Sequence, residues 1–507
     1  MRNRIILFLK VCLLGPVLFS PAAEPTRHVV VMVWDGMRPD FVSEQNTPTL
    51  YELSRKGVTF ANHHPVYLSS TEVNGTALST GAYPSHDGII GNSEYRPAID
   101  PLKLVHTEAV ETVRKGDFLT HGNYVQLPTL AEIIRQSGRK TAVAGAKPVI
   151  LLADRAARSS LAGGATVFAG ATLPAELVST LTNKIGPFPS DTSTLPTRND
   201  WTTEAMLEVL WADGVPDFSF LWMNQPDVAQ HQTGPGSKQS LEAIRNADAN
   251  LARVLQALET KGVRAKTDIL VVSDHGFSTL ETRVDLAEDL QKAGLNALRE
   301  FKSKPIPGQV LIVSNSGSSL IYVVGHEQEA IRKIVRFLQL WPHTGVIFTR
   351  KEMPGTFPLS RAQLDSADAP DVLVSMRWNA NKSTNGTPGL VTSDLGLLPG
   401  QGTHVTLSRY DMHNTLIAAG PDFRPGVVST LASGNVDIAP TVLHIFGIAP
   451  AMPMDGRILT EALTIGGPAL RSFEPRHFEA SNGGWHQYLN VTEVNGVTYI
   501  DEGNRLN

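Results

Sequence analysis

The sequence predicts an α/β fold in which a mostly parallel sheet is sandwiched by helices. Short apolar runs rich in β-branched residues alternate along the chain with segments of helical periodicity. This alternation is typical of parallel sheets that are covered by helices on both faces. Acidic residues directly follow several of the predicted strands, and ligands of such sheets bind outside the carboxyl ends of the strands.

The individual elements follow from the same patterns. Continuous apolar runs predict fully buried strands at His28–Trp34, Thr141–Ala146, Phe218–Met223 and Ile269–Val272. Helical periodicity predicts helices at 48–56, 128–137, 202–212, 239–259 and 435–446.

The catalytic domain is predicted to span residues 24–465. Residues 276–403 carry mixed strand and helix signals, and we expect them to form a cap or inserted subdomain near the site. Within that region, residues 379–389 are rich in Asn, Ser, Thr and Gly and predict an exposed loop. Residues 466–507 form a C-terminal tail with a predicted hairpin that turns at Asn495-Gly496.

Residues 1–22 have the pattern of a secretory signal peptide. Arg2 and Arg4 precede an apolar stretch, and small residues before the expected cleavage after Ala22 complete the pattern. The alternative is a membrane anchor, but the apolar run is short and interrupted, so we expect no membrane span after cleavage. Cys12 is the only cysteine. A periplasmic or secreted enzyme without disulfides is therefore predicted.

Charge and composition narrow the class of partner. The chain of 507 residues has 44 basic and 49 acidic residues and a net charge of −5, without a basic run. This balance argues against binding of a nucleic-acid duplex. Recognition of a small-molecule phosphate ester would have to depend on a local site.

Carboxylates and imidazoles stand at the predicted strand ends. Asp35 ends the first strand, Asp274 and His275 end the Ile269–Val272 strand, and Asp227 and His231 are spaced i, i+4 so that one helical turn presents both. Each fragment alone has an ordinary structural explanation, such as a helix cap or a surface ion pair. Together they are what a two-metal hydrolase needs.

Three further residues complete the candidate set. Thr71 is expected at the start of a helix, where the dipole favours an anionic oxygen, although an N-cap is the simpler explanation of that fragment. Ser69 and Ser70 are rival nucleophiles. His404 is the expected third histidine ligand of the site. His413 competes with it for this role, or could contact a metal ligand without binding the metal itself.

The order and spacing of these motifs resemble the alkaline phosphatase superfamily, and most closely its nucleotide pyrophosphatase/phosphodiesterase branch. The resemblance covers about residues 27–450. The segments that carry it are DGMRPD, PVYLSSTEVN, YPSHDGIIGN, QPDVAQH, SDHG, GTH and MHNTLIAAGPDF.

The resemblance implies an alkaline phosphatase-like fold and two Zn2+ ions. It makes Thr71 the nucleophile, and Asn92 the residue that contacts the phosphoryl oxygens together with the amide at the start of the Glu72 helix. One zinc would be held by Thr71, Asp35, Asp274 and His275, and the other by Asp227, His231 and His404. Imidazoles in both sets favour zinc over calcium.

Two departures from the family pattern stand out. Val405 follows His404 where the family often has glycine. Lys147 matches the position of a phosphate-binding lysine in related phosphomonoesterases and phosphonoacetate hydrolases, but the second basic residue of those relatives is Val149 here. Lys147 is thus either a substrate-binding residue that favours a monoester or phosphonate, or a solvated lysine. A sulfatase is excluded, since no Cys/Ser-x-Pro-x-Arg motif stands at Thr71.

The expected function is that of an exported two-zinc phosphohydrolase. It would cleave phosphodiester or pyrophosphate bonds of nucleotide-type substrates through a phosphothreonine intermediate. A phosphomonoesterase or phosphonate hydrolase on the same fold is the first alternative. An inactive periplasmic binding protein is the second, and the complete ligand set argues against it.

Overall fold

The computed structural model describes residues 27–155, 163–189, 197–466 and 473–506. The predicted signal peptide, residues 1–22, lies outside this part of the chain. Among the described residues, no helix combines the length and the apolar character that a bilayer crossing requires.

A large central sheet organises the molecule. In the described part of the chain it has nine strands, which lie in the spatial order Val427–Ser429, Val58–Phe60, Leu416–Ala419, Thr267–Val272, His28–Trp34, Phe218–Met223, Thr141–Gly145, Gly164–Phe168 and Ala171–Leu173. The strands Leu416–Ala419 and Ala171–Leu173 run antiparallel to the others of this sheet. The predicted mostly parallel sheet is confirmed.

Both faces of this sheet are buried. In the strand His28–Trp34, Val29 and Val31 belong to one hydrophobic core, whereas Val30 and Met32 belong to another. Side chains alternate between the faces of a strand, so a strand between two cores must be apolar at every position. This explains the continuous apolar runs in the sequence.

Helices flank the sheet, and the five predicted ones are present with shifts of a few residues at their ends. The helices of the described residues are Pro48–Lys56, Thr71–Thr80, Pro84–Asp87, Val110–Thr120, Leu130–Gln136, Ile150–Ala153, Leu177–Ile185, Thr197–Glu204, Asp227–Thr233, Lys238–Thr260, Leu286–Lys292, Gln328–Leu340 and Ile438–Ile445. A π-helical segment, Ala205–Leu210, continues Thr197–Glu204.

The region 276–403 forms two further sheets. One consists of Ala297–Leu298, Val310–Asn315, Ser318–Val323, Val372–Met376, Thr344–Thr349 and Phe357–Pro358 in spatial order. The other consists of Trp378–Lys382, Pro388–Asp394, Ser278–Val284 and Gly402–Thr403.

The prediction of an exposed loop at 379–389 is wrong at both ends of this segment. The strands Trp378–Lys382 and Pro388–Asp394 pair antiparallel and extend into this segment, and only the residues between them form a turn. The polar composition was misleading because three successive residues at the end of the first strand are exposed.

The C-terminal tail forms a three-stranded sheet from Phe473–Asn482, Trp485–Val494 and Val497–Arg505. The last two strands meet at a turn in which Asn495 has φ 52° and Gly496 has φ 86°. Positive φ at both turn residues is what a two-residue hairpin requires.

Candidate active site

Three strand ends place acidic side chains side by side. Asp35 and Asp274 follow the neighbouring parallel strands His28–Trp34 and Thr267–Val272, and Asp227 begins the helix that follows a third strand. The amide of Asp227 donates to the carbonyl of Asp35 at 2.9 Å. The amide of Gly36 donates to Oδ1 of Asp274 at 2.9 Å. Backbone hydrogen bonds therefore fix the carboxylates relative to one another.

Three histidines complete the cluster, and each is oriented by its Nδ1 atom. The acceptors for His231, His275 and His404 are the carbonyl oxygens of Gly402, Gly276 and Ser69, at 2.9, 2.9 and 2.8 Å. A carbonyl oxygen can only accept, so each Nδ1 carries a proton, and Nε2 is the atom of each ring that could bind a metal ion. The rings of His275 and His404 stack with centroids 3.7 Å apart.

The ligand atoms form two overlapping groups. Asp35, Asp274 and His275 make one, and Asp227, His275 and His404 make the other, with the atoms of each group within 4.8 Å of one another. His231 adjoins the second group, since its Nε2 is 3.1 Å from Oδ1 of Asp227. All seven residues that the resemblance assigned to metal binding, Thr71 included, thus lie together, and His275 lies between the two groups.

Buried carboxylate oxygen atoms show that these residues fit metal ions. Oδ1 of Asp35, Oδ1 of Asp227 and Oδ2 of Asp274 are buried, and the side-chain groups that face them are the Nε2 atoms of His275 and His231, at 3.1 to 3.5 Å. A buried carboxylate oxygen without a partner is costly, and buried charges are normally paired or bound to metals. A mixed set of carboxylates and imidazoles is a donor set that zinc accepts.

The electrostatics of the site point the same way. Burial raises the pKa of Asp35 well above its usual value, and repulsion by Asp227 and Asp274 adds to this. Burial also raises the pKa of Asp274 to about 6. Burial opposes ionisation of Asp227 too, but the charges of Lys147 and His231 outweigh it and hold the pKa of Asp227 well below its usual value. Crowded buried carboxylates of this kind favour a divalent cation.

Lys147 is the positive charge that these acids share. Its Nζ atom lies 2.6 Å from Oδ2 of Asp35 and 2.8 Å from Oδ2 of Asp227. Burial alone would lower the pKa of Lys147, but the two carboxylates raise it well above its usual value. The interpretation of Lys147 as a solvated lysine is therefore wrong, because it is bound to one carboxylate from each group.

Thr71 is the first residue of the helix Thr71–Thr80, as the sequence predicted. Its Oγ1 atom lies 3.4 Å from Nε2 of His275. Ser70 is the N-cap of this helix, but its side chain makes no capping hydrogen bond. The hydroxyl of Thr71 therefore lies beside the metal-ligand cluster at a helix N-terminus, where an anionic oxygen is favoured.

Asn92 lies next to the same helix start, but one part of its expected environment is different. The amide of Glu72 donates to Oδ1 of Asn92 at 3.1 Å. This amide thus orients Asn92 and leaves Nδ2 of Asn92 as the remaining donor. The Glu72 amide itself was expected to bind phosphoryl oxygens, and it is already occupied.

Two acidic residues at the site were missed by sequence reasoning. Oε2 of Glu72 and Oε2 of Glu108 are buried without hydrogen-bond partners. Burial, and then repulsion by Glu108, raises the pKa of Glu72 well above its usual value, while Lys147 opposes the shift. Glu72 directly follows Thr71 in the sequence and could have been foreseen. Glu108 carries no local signal.

A cleft of about 340 Å³ opens from the site. Its lining includes Asn92, His231 and His404, together with Asn315 and Asp394 from the region 276–403. The cleft therefore adjoins two of the three histidines of the cluster, His231 and His404. His413 is not part of this cluster and contacts His64 instead, with ring centroids 4.5 Å apart.

Known proteins resemble the chain over most of its length. The mouse bis(5'-adenosyl)-triphosphatase enpp4 is 22% identical over 430 residues, which cover 83% of this chain and 78% of the relative. The rat ectonucleotide pyrophosphatase/phosphodiesterase family member 7 is 21% identical over 480 residues, covering 92% and 93%.

Solved structures agree. An inactive variant of murine ectonucleotide pyrophosphatase/phosphodiesterase 5, in complex with AMP, superposes with a TM-score of 0.63 at 17% identity, covering 86% of this chain and 100% of that chain. This likeness confirms the alkaline phosphatase-like fold. The family model for type I phosphodiesterase / nucleotide pyrophosphatase matches residues 29–406. The chain therefore belongs to the type I phosphodiesterase / nucleotide pyrophosphatase family of metal-dependent phosphoric ester hydrolases.

Proposed function

We propose that the protein is an exported two-zinc enzyme that cleaves phosphodiester or pyrophosphate bonds of small nucleotide-type substrates. One observation carries the proposal. Three buried carboxylate oxygens, from Asp35, Asp227 and Asp274, face imidazole Nε2 atoms at 3.1 to 3.5 Å, beside the hydroxyl of Thr71 at a helix N-terminus.

The metal ligands are proposed in two sets. Asp35, Thr71, Asp274 and His275 would hold one zinc ion, and Asp227, His231 and His404 would hold the other. Burial and the neighbouring His275 keep the pKa of His404 well below its usual value, so the ring is neutral and its Nε2 can ligate. Bound zinc would supply Lewis-acid stabilisation of negative charge on oxygen.

Thr71 is the proposed nucleophile. Its Oγ1 atom would form a bond to phosphorus while the bond to the leaving oxygen breaks, which leaves a phosphothreonine. When the substrate is a diester, this phosphorus keeps its second ester group. Water then cleaves the bond between phosphorus and Oγ1 and restores the hydroxyl of Thr71.

Asn92 and Lys147 are the proposed substrate-binding residues. Since Oδ1 of Asn92 is occupied by the Glu72 amide, its Nδ2 is the group that can donate to a phosphoryl oxygen. Two of the three N–H donors of Lys147 are engaged by Asp35 and Asp227, so one donor remains for the substrate.

The charges around Thr71 favour a diester over a monoester. A monoester carries an additional negative charge, and a cation that is not already paired would have to neutralise it. The charge of Lys147 is already offset by Asp35 and Asp227, and Glu72 adds a further buried carboxyl directly after Thr71. A nucleotide-type substrate agrees with the AMP that the murine relative binds. We expect no binding of nucleic-acid duplexes. The phosphomonoesterase alternative and the inactive binding protein are not favoured.

The role of Thr71 is tested by the substitution Thr71→Ala with an aryl phosphodiester and an aryl phosphomonoester as substrates. We expect the variant to lose at least about a thousandfold in kcat with both, because no other group replaces a lost nucleophile. Ser70→Ala, which removes a hydroxyl one residue away, is the matched control and should keep nearly full activity. Equal activity of Thr71→Ala and the wild type would refute the assignment.

The same wild-type measurement separates the two catalytic alternatives. We expect a higher kcat/KM for the diester than for the monoester. A strong preference for the monoester would favour the phosphomonoesterase. Export rests on the pattern of residues 1–22 and is tested by sequencing the N-terminus of the mature protein, which should begin at Ala23.

A further inference from the structure

We propose that His64, His413 and Asp501 form a third metal site, which takes a divalent transition-metal ion, zinc in the first place, and fastens the C-terminal sheet to the catalytic domain. None of these residues belongs to the two groups at the active site. One ring nitrogen of each histidine and a carboxylate oxygen of Asp501 lie within 4.8 Å of one another, which is the limit that the two active-site groups also meet.

The three residues come from three distant parts of the chain. His64 belongs to the short strand His63–His64, which pairs with Ser433–Gly434. His413 lies between the active-site histidine His404 and the strand Leu416–Ala419. Asp501 belongs to the last strand, Val497–Arg505. An ion held by all three would cross-link the tail to two segments of the catalytic domain.

Both histidines are oriented as metal ligands usually are. Nδ1 of His64 lies 3.1 Å from the carbonyl oxygen of Ser433, and Nδ1 of His413 lies 2.9 Å from that of Arg409. Since carbonyl oxygens only accept, both Nδ1 atoms carry protons, and Nε2 is the atom of each ring that could bind an ion. Nε2 of His413 lies 3.1 Å from Oδ1 of Asn62, a contact that a bound ion would replace. A ring whose second nitrogen donates to a backbone carbonyl is typical of metal-bound histidines.

The carboxylate is held in a similar way. Oδ1 of Asp501 lies 2.9 Å from Nε2 of His64, and Oδ2 accepts a hydrogen bond from Oγ1 of Thr492 at 3.0 Å. Nε2 of His64 and Oδ1 of Asp501 thus face each other at this distance. Either a proton or a metal ion must lie between them. The ring of His413, whose centroid lies 4.5 Å from that of His64, offers a third donor atom to an ion at this position.

The surroundings leave room for an open coordination position. His413 and Asp501 line a surface cavity of about 480 Å³. His64 is buried beneath it, whereas His413 and Asp501 are only partly buried. Two imidazoles and one carboxylate with an open position suit zinc and other divalent transition metals, but not calcium, which prefers oxygen ligands alone.

The test is the number of zinc ions that the full chain binds in equilibrium dialysis against Zn2+. The variants are His413→Gln and Asp501→Asn, and the control is His477→Gln, which removes an imidazole from the same cavity but outside the proposed ligand set. We expect each of the two variants to bind one zinc ion fewer than the wild type, while His477→Gln binds as many. Equal zinc binding by all four proteins would overturn the proposal.

The difference between variant and wild type does not depend on how many ions the active site takes, so the result is separate from the proposed function. Anomalous diffraction of zinc-saturated wild-type crystals at the zinc absorption edge needs no variant and covers the case in which the substitutions prevent folding. A peak between Nε2 of His64, Nε2 of His413 and the carboxylate of Asp501 is expected. Its absence, with His64 bonded directly to Asp501, would overturn the proposal.

Discussion

Lys147 is the residue whose environment departs most from what its sequence suggested. It lies at the end of a predicted strand, at the position of a phosphate-binding lysine in related enzymes. Its role stayed open because the second basic residue of those enzymes is Val149 here. Its ammonium group bridges Asp35 and Asp227 at 2.6 and 2.8 Å. An ion pair of this kind, formed between parts of the chain that are distant in sequence, leaves no local pattern.

The substitution Lys147→Met tests what this lysine does. We expect kcat/KM to fall for the diester and the monoester by similar factors, of about tenfold or more, because the charge of Lys147 is offset by carboxylates rather than reserved for the substrate. Steady-state kinetics with both substrates measures the ratio. If kcat/KM fell only for the monoester, Lys147 would neutralise the additional charge of that substrate. This result would favour the phosphomonoesterase.

Val405 explains why glycine is common after the last histidine in the family that the sequence resembles. Its φ is 77°, a conformation that is strained for a β-branched residue. The carbonyl of Val405 accepts a hydrogen bond from Oγ of Ser318, and the side chain is buried. Tertiary contacts thus hold a backbone turn that glycine would adopt freely, and His404 keeps its place in the cluster.

At the residue scale, the sequence was sufficient for the residues that end strands and for those on one helical turn. Asp35 and Asp274 are placed by the parallel sheet, and Asp227 with His231 by a helix. Sequence reasoning could not choose between His404 and His413 without the resemblance, since both follow polar segments. It also missed Glu108, which reaches the cluster only through tertiary folding.

Among the elements of the site, the turn after the strand Thr267–Val272 has very little space for a side chain. Gly276 follows His275 at this turn, and the structure shows why glycine is needed there. A Cβ atom at this position would lie 2.0 Å from the carbonyl oxygen of Tyr410 and 2.5 Å from that of His413. The turn therefore needs glycine because two other backbone segments approach it closely.

The substitution Gly276→Ala should therefore destabilise the protein by about 1–3 kcal/mol or more and displace the adjacent His275. Urea unfolding measures the first effect, and zinc binding measures the second. Gly484→Ala is the control, because a Cβ atom there would meet nothing within 4 Å. If both variants unfold at the wild-type urea concentration, the close approach is not a real constraint.

The elements that the sequence predicted best are those in which one physical rule dominates. Strands buried on both faces, such as His28–Trp34 and Phe218–Met223, are apolar throughout and were predicted with the bounds that the structure has. In the region 276–403, pairing joins strands that are distant in sequence, and their exposed faces are polar. The strand Trp378–Lys382 was therefore mistaken for a loop.

At the scale of the whole molecule, stability without metal should depend on pH through the buried carboxylates. Burial raises the pKa of Asp274 from 3.8 to about 6. A carboxyl group whose pKa is higher in the folded state stabilises the protein fully below the lower value, and this contribution is lost as the pH rises through about 6. The shift corresponds to about 3 kcal/mol at most.

Urea unfolding in the presence of EDTA should therefore show that the contribution of Asp274 to stability decreases from about pH 4 to about pH 6.5, so that Asp274→Asn changes the pH dependence in this range. Zinc should reverse the trend in the wild type, because a bound cation stabilises the ionised carboxylate and competes with protons. Zinc that stabilises the wild type and Asp274→Asn equally at both pH values would contradict the assignment of Asp274 as a ligand.

The central claim is that hydrolysis proceeds through a covalent bond between phosphorus and Thr71. The stereochemical course at phosphorus tests it most directly, with a chiral phosphorothioate diester hydrolysed in water enriched in oxygen-18. Two successive in-line displacements, first by Thr71 and then by water, predict overall retention of configuration. Inversion would mean that water attacks phosphorus directly and would contradict the account.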